Sequence, residues 1–185
     1  LGVITAQDVL EVYDDEMGED YARLGGLTAE EDLNEPLLES VKKRLPWLVI
    51  LLFLGLVVST VVGLFETVVA QLTIIMAFQS LILDMSGNVG TQSLAVTIRV
   101  LMDERLTAKQ KMTLVGKEMG VGGLNGLVIG LFSLVGIGAY LYFFKHQPLH
   151  IAIAISSCIG FSLMLSMVIS SLVGTVTPIF FKKVG

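Results

Sequence analysis

The sequence predicts an all-α fold: a polytopic helical membrane protein with four transmembrane helices, preceded by a cytoplasmic, acidic, amphipathic helix. Apolar residues make up 54% of the 185, and the mean hydropathy of +0.79 is well above that of ordinary soluble domains. Charged residues are only 16% of the chain, and most of the acids precede Trp47. Four apolar runs each supply the roughly 20 residues that cross a bilayer core.

The four predicted spans follow, in chain order, the runs 47–65, 72–101, 119–144 and 151–181. The first starts after Pro46, at a tryptophan of the kind that lies at membrane interfaces. The second exceeds the roughly 20 residues of one straight span, and its middle holds the polar stretch ILDMSGNVGTQS. We therefore expect residues 46–185 to form the transmembrane domain.

Basic residues predict that both ends of this sequence face the cytoplasm. They cluster before the first span, between the second and the third, and after the fourth: Lys42, Lys43, Arg44, Arg99, Arg105, Lys109, Lys111, Lys117, Lys182 and Lys183. Connections rich in Lys and Arg stay on the cytoplasmic side, whereas the other two connections carry few charges, Glu66 and Lys145 among them. The expected location is therefore the cell membrane, with several passes.

The N-terminal segment is predicted to be cytoplasmic and strongly acidic. Thr5 and Asp8 have the spacing of a helix capping box, with Asp in place of the usual Glu or Gln. From Asp8 to Asp20 the chain carries seven carboxylates in 13 residues, and like charges one turn apart repel on a helix. Two interpretations stay open: a solvated or disordered acidic linker, or a helix whose acids bind a divalent cation that relieves the repulsion.

The polar stretch in the second span is predicted to be an ion-binding site. Asp84 is ionisable and costly at membrane depth, so it marks a functional position. Gly87 and Gly90 weaken a helix and predict a break or kink, which would expose backbone groups to an ion or substrate. Asn88 and Thr91 add neutral oxygens of the kind that suits a hard, hydrated cation. The alternative is that these polar residues only join helices through hydrogen bonds.

Other small and polar residues in the spans predict either packing or ion contact. Gly122, Gly126 and Gly130 lie four residues apart in the third span, which predicts close helix packing. Glu66 lies at the outer mouth, where it either attracts cations or is merely solvated. Glu118 lies near the cytoplasmic entrance, where a paired or capping acid is ordinary. The fourth span carries a stripe of serines that forms either a narrow helix contact or a pore wall: Ser156, Ser157, Ser162, Ser166, Ser170 and Ser171.

Enzymes and nucleic-acid-binding proteins are disfavoured classes, and we expect no enzyme. An intramembrane aspartyl protease needs two membrane carboxylates, and Asp84 is the one deep acid in the sequence. A zinc protease needs a His pair on a helix, whereas His146 and His150 flank Pro148 without a third ligand. No basic patch with interleaved aromatic residues is present. The single Cys158 excludes a disulfide framework or a thiolate metal cluster.

The stretch SGNVGTQS, followed by LAVTIRVL, resembles the signature of the MgtE family of magnesium channels. The first span of that family resembles KRLPWLVILL and FETVV here, and the start of its third span resembles KEMGVGGLNG. The cytoplasmic segment that precedes the membrane domain in that family resembles GVITAQDVLEVYDDEMGED. The resemblance therefore extends over essentially the whole chain.

This resemblance implies a homodimeric Mg²⁺ channel whose pore lies at the subunit interface, lined by the second and fifth spans. The pore positions that it assigns here are Asp84, Gly87, Asn88, Thr91 and Ala95. It also implies that Mg²⁺ acts as a regulatory metal, closing the channel by binding acids of a cytoplasmic plug helix: Asp8, Glu11, Glu16, Glu19 and Asp20.

The resemblance also divides the chain. It implies that residues 1–5 end a cystathionine-β-synthase-type (CBS) domain and that 6–45 form the plug helix and its linker. The family has a fifth span with an ion-facing Asp, and this sequence stops before that span, so we expect these residues alone not to conduct normally.

Two other functions stay open from the sequence. Oxygen ligands do not single out Mg²⁺, so a transporter of Co²⁺ or Mn²⁺ is one alternative. The other is a non-transporting membrane interaction module, held together by its glycine-rich helices.

Overall fold

The structure is a computed structural model that describes residues 4–12, 18, 36–65, 73–103 and 106–184. Every regular element in this described part is a helix, so the all-α prediction is confirmed. In chain order the elements are α1 (residues 6–12), α2 (Leu37–Gly63), α3 (Thr73–Met76), α4 (Gln79–Asp103), α5 (Ala108–Phe143) and α6 (Leu149–Val184). The chain divides into two compact units, Leu1–Thr67 and Val68–Gly185.

Helix α1 begins with the predicted capping box. The carboxylate Oδ2 of Asp8 accepts hydrogen bonds from the backbone N–H of Thr5 at 2.7 Å and from its hydroxyl at 2.8 Å. The backbone N–H of Asp8 in turn donates to Thr5 Oγ1 at 3.2 Å. These bonds to the ionised form, the backbone one first, lower the pKa of Asp8 below its ordinary value.

Replacing Asp8 by alanine is expected to loosen the start of α1 at neutral pH, because the cap loses its acceptor. A lowered pKa in the folded state means that the stabilisation is present above the unfolded pKa of about 3.9. It is lost as pH falls through the lower folded value. Amide hydrogen exchange of residues 6–12 should therefore be faster in Asp8→Ala at pH 7, and the difference should vanish at strongly acid pH. Glu11→Ala is the control, since Glu11 is exposed on the same helix and is not a cap acceptor.

Helix α2 is a long apolar rod that starts earlier than predicted. It begins at Leu37 and contains Pro46 in its interior, whereas the sequence placed the start of the span at residue 47. The missing N–H of proline removes one helical hydrogen bond, which the 27-residue helix accommodates without ending. None of its residues is buried within the described chain, as expected for an element whose apolar side chains face lipid.

The predicted second span is divided, but not at the predicted glycines. Helix α3 ends at Met76, a turn occupies residues 77 and 78, and α4 starts at Gln79. The predicted break at Gly87 and Gly90 is wrong, because α4 continues through both. A helical glycine costs only about 1 kcal/mol relative to alanine, and the glycine at position 90 allows a close contact with α6.

Helices α5 and α6 form a long antiparallel hairpin. Thr107 caps α5 through a capping box with Gln110, so this helix starts eleven residues before the predicted span, and α6 likewise extends past both predicted ends. Runs of apolar residues mark only the apolar part of a helix, so they underestimate its length where its ends are polar. A buried apolar cluster joins the two helices and receives side chains from α3 and α4: Ile137, Leu141, Ala152, Ile155, Ile159 and Leu163.

The predicted glycine contacts of the third span are confirmed. A Cβ at Gly126 would lie 2.8 Å from the Cα of Met164, and one at Gly130 would lie 2.9 Å from the carbonyl oxygen of Gly160. These neighbours are backbone atoms, which cannot move aside as the end of a flexible side chain can. The hairpin therefore depends on glycine at these positions.

Gly126→Ala is expected to destabilise the hairpin by about 1–3 kcal/mol, because overpacking against backbone is relieved only by moving a helix. The thermal unfolding temperature in detergent should fall accordingly. Gly120→Ala is the matched control, since a Cβ there meets nothing within 4 Å and alanine favours helix. Equal unfolding temperatures for the two variants would contradict the close contact.

Three of the described helices are long and apolar enough to cross a membrane: Leu37–Gly63, Ala108–Phe143 and Leu149–Lys182. Helix α4 is not among them, because the polar residues of its middle lower its hydropathy. Its 25 residues correspond to about 38 Å at 1.5 Å per residue, which is longer than the roughly 30 Å core. Its membrane crossing stays a prediction, as do the domain boundaries.

Candidate ion-binding site

Helix α4 presents the predicted ion-binding residues on one exposed face. Asp84, Gly87, Asn88, Thr91 and Ala95 are all exposed in the described chain. Their spacing of three or four residues places them one above another on a helix. We call these five residues the ion face, and at 1.5 Å per residue it runs for about 16 Å along the helix.

The opposite face of α4 is packed. Val89, Ser93, Thr97 and Leu101 are buried, Thr97 completely. Helix α4 therefore has one packed, buried side and one polar side that is exposed. A polar face of this kind is stable in a membrane only if it meets water or another protein surface.

Hydrogen bonds within α4 orient the polar side chains of the ion face. The amide nitrogen of Asn88 donates to the carbonyl oxygen of Asp84 at 3.0 Å, and the hydroxyl of Thr91 donates to the carbonyl oxygen of Asn88 at 2.9 Å. The Thr91 hydroxyl thereby uses its single hydrogen, and one of the two amide hydrogens of Asn88 is also engaged. What remains available on this face is mainly oxygen, with the carboxylate of Asp84 one turn away. Oxygen ligands of this type are those that hard divalent cations prefer.

Helix α6 supports α4 from behind through a glycine contact. A Cβ at Gly90 would lie 2.5 Å from the hydroxyl oxygen of Ser170, and one at Gly174 would collide with the carbonyl oxygen of Gly90. Ser170 donates its hydroxyl to the carbonyl oxygen of Ser86 at 2.6 Å. The backbones of the two helices therefore approach closely, directly behind the ion face.

A buried hydroxyl bridge connects three helices near this contact. The hydroxyl oxygens of Ser93 and Ser171 are 2.8 Å apart, and Ser171 donates to the carbonyl oxygen of Glu118 at 2.7 Å. Of the two interpretations of the serine stripe, the narrow helix contact is therefore the correct one for Ser170 and Ser171. The sequence signal that could have indicated this is the pairing of Ser170 with Gly174, one turn apart.

Glu118 is not the helix cap that the sequence suggested. Thr107 caps α5, and Glu118 lies eleven residues further on, with 6% of its surface exposed. Its carboxylate has no hydrogen-bonding or ionic partner among the described residues. Neither the ion pair nor the capping role expected for this acid is therefore found among the described residues.

The remaining predicted site residues are only partly described. Asp8 and Glu11 are exposed on α1, and Asp8 is engaged in the cap. The predicted regulatory acids Glu16, Glu19 and Asp20, and the pore-mouth candidate Glu66, lie outside the described residues. Within the described ranges no three His, Cys, Asp or Glu side chains come close enough to hold a metal ion, and this includes His146 and His150.

Comparisons with known proteins show which sequences this chain is similar to. Residues 79–185, which start at the first residue of α4, match the sequence model of the MgtE family, described as divalent cation transporters. Proteins named magnesium transporter MgtE are 33% identical in Enterococcus faecalis, 29% in Bacillus subtilis and 34% in Thermus thermophilus. Each alignment covers 99–100% of this chain, and the chain spans 39% of the length of each relative.

Proposed function

This chain belongs to the MgtE family of divalent cation transporters, and from that premise we propose that it carries hydrated Mg²⁺ along the ion face of α4, at the interface of a homodimer. The observation that supports this proposal best is the ion face itself. Its five residues are exposed together on one side of a helix, and internal hydrogen bonds leave mainly oxygens available to a cation. The relatives named magnesium transporters point to the same ion.

A second copy of the chain is the partner that suits this face. Homodimers join the same surface of both subunits around a two-fold axis. Two copies of the ion face would then oppose each other and enclose a polar path, with lipid kept on the outside. The path would carry two copies of each oxygen ligand, so one chain supplies half of the site.

Mg²⁺ keeps most of its water in such a path, because it dehydrates reluctantly. The coordinated waters would donate hydrogen bonds to the oxygens of Asn88 and Thr91. Asp84 adds negative charge at one end of the ion face. The small residues Gly87 and Ala95 leave room for the hydrated ion, and a Cβ at Gly87 would meet nothing within 4 Å.

Regulation by cytosolic Mg²⁺ is part of the proposal. Mg²⁺ bound between acids of the N-terminal segment would relieve their repulsion and favour the closed state; these acids are Asp8, Glu11, Glu16, Glu19 and Asp20. Loss of the ion would let the like charges separate and open the path. The capping box stabilises the start of α1 at residues 6–12, and the Oδ2 atom of Asp8 is already engaged there, so Asp8 would contribute its other oxygen.

The experiment that tests the proposal is cation flux into liposomes that contain the purified protein, expressed from its complete reading frame. A Mg²⁺-sensitive dye should report uptake, and the inert hexaammine complex of Co³⁺ should inhibit it, because this complex imitates fully hydrated Mg²⁺. Uptake of Mn²⁺ or Co²⁺ in preference to Mg²⁺ would correct the ion. No uptake of any divalent cation would overturn the proposal in favour of a membrane interaction module.

A further inference from the structure

Two adjacent serines of α6 hold α4 at two points on its packed side. Ser170 donates to the carbonyl oxygen of Ser86 at 2.6 Å, and Ser171 lies 2.8 Å from the hydroxyl of Ser93. Ser86 and Ser93 are seven residues apart, which is two helical turns and therefore the same face. Each attachment lies on the surface of α4, away from its axis, and therefore opposes rotation of the helix about that axis. Two attachments also prevent α4 from pivoting about either one.

The direction of the hydrogen bonds strengthens the second attachment. A serine hydroxyl has one hydrogen, and Ser171 gives it to the carbonyl oxygen of Glu118 on α5. The bond between the two hydroxyls is therefore donated by Ser93 and accepted by Ser171. The resulting chain runs from α4 through α6 to α5, and Ser93 and Ser171 are 3% and 0% exposed, so water does not compete with it.

Glycine makes the first attachment possible. Gly90 lies between Ser86 and Ser93 on α4, and a Cβ on it would come within 2.5 Å of the Ser170 hydroxyl oxygen. Gly174, one turn after Ser170, touches the backbone of Gly90 directly. The two attachments and the glycine contact therefore form one continuous seam, which lies on the side of α4 away from Asp84 and Asn88.

We propose that Ser170 and Ser171 are positioning residues that fix the rotation of α4, and through it the cation affinity and selectivity of the ion face. This inference rests on the proposed function. The ion-face side chains lie about 5–6 Å from the helix axis, so a rotation of about 20° would move their oxygens by about 2 Å. Binding sites tolerate displacements of only about 0.5 Å, so rotation would misplace the oxygens without removing any of them.

The test compares Ser170→Ala and Ser171→Ala with wild type in the liposome assay. Loss of a hydrogen bond of this kind corresponds to about a two- to tenfold change in an equilibrium. We expect the half-saturating Mg²⁺ concentration to rise by that factor and the preference for Mg²⁺ over Mn²⁺ to fall, with a smaller change in maximal rate. Ser166→Ala is the matched control, since the Ser166 hydroxyl donates within its own helix to Leu163 at 3.1 Å, and it should behave as wild type.

A double-variant cycle tests the seam itself. Gly90→Ala alone should impair affinity, because its Cβ displaces the Ser170 hydroxyl. In the Ser170→Ala background the nearest remaining atoms are the carbonyl oxygen and Cβ of residue 170, at 3.5 and 3.7 Å, which is ordinary contact. The double variant should therefore resemble Ser170→Ala, and fully additive effects would contradict the seam.

Rotation is measured directly by cysteine labelling in a Cys158→Ala background. The variants Gly87→Cys and Gln92→Cys place a thiol on either side of the row formed by Asp84, Asn88 and Ala95, so rotation should raise the labelling rate of one and lower that of the other. General loosening would raise both and would overturn the proposal. Wild-type transport with unchanged affinity and unchanged labelling in both serine variants would also overturn it and would leave the proposed function intact. Absence of wild-type transport would instead refute the proposed function.

Discussion

Asn88→Ala is expected to raise the half-saturating Mg²⁺ concentration about tenfold to a hundredfold, or to abolish measurable uptake. The amide oxygen of Asn88 lies at the middle of the ion face, with one amide hydrogen already bound to the carbonyl of Asp84. A hydrogen bond to a charged partner, such as a water bound to Mg²⁺, contributes about 1.5–3 kcal/mol, and each copy in a dimer would lose one. The measurement is the concentration dependence of Mg²⁺ uptake into liposomes.

Asn125→Ala is the amide-matched control for this variant. Asn125 is an exposed amide on α5 and lies outside the ion face, so its removal should leave uptake close to wild type. Unfolding temperatures of both variants should match wild type, because neither side chain is buried. Unchanged uptake in Asn88→Ala would remove Asn88 from the ion path, and equal losses in both variants would attribute the effect to something other than the ion face.

The sequence alone predicted those features that depend on residues close together in the chain. The Thr5–Asp8 capping box depends on two side chains three residues apart, and it forms as predicted. The polar residues Asp84, Asn88 and Thr91 were recognised from their types alone, and they share one helical face because the predicted break between them does not form. The small residues at intervals of four in the third span likewise indicated a contact that exists.

The sequence alone did not predict those features that depend on packing against another helix. Gly87 and Gly90 have the same intrinsic effect on a helix, yet a Cβ at Gly90 would collide with Ser170 and a Cβ at Gly87 would meet nothing within 4 Å. The contact with α6 therefore distinguishes Gly90 from Gly87, and the residues of α4 alone do not predict that contact. For the same reason the serine stripe of α6 could not be assigned to pore or contact from its spacing.

Glu118 illustrates the same limit for a charged residue. Near the start of a predicted span, an acid ordinarily caps the helix or is paired. The capping box at Thr107 starts α5 earlier, which moves Glu118 three turns into the helix and buries it. A helix boundary displaced by eleven residues thus turned an expected capping or paired acid into a buried residue of the helix interior.

Asp84→Lys is expected to abolish divalent cation uptake. A lysine here replaces a negative charge by a positive one on the ion face, and no described residue neutralises the charge at this position. A single positive charge about 6 Å from a divalent cation opposes it by about 5 kcal/mol at an effective dielectric constant of about 20, which corresponds to more than a thousandfold in rate. The uptake rate into liposomes is the measurement, with the unfolding temperature as a check of the fold.

Two further variants separate charge from position. Glu39→Lys makes the same change of charge at an exposed residue in the first turn of α2 and should leave uptake near wild type. Asp84→Asn keeps the size and an oxygen while removing the charge, so its uptake should lie between those of wild type and Asp84→Lys. If Asp84→Lys and Glu39→Lys transport equally, Asp84 does not face the ion. If Asp84→Asn is as inactive as Asp84→Lys, the carboxylate itself contacts the hydrated ion. A charge that acted only at a distance would make the neutral variant less impaired than the positively charged one.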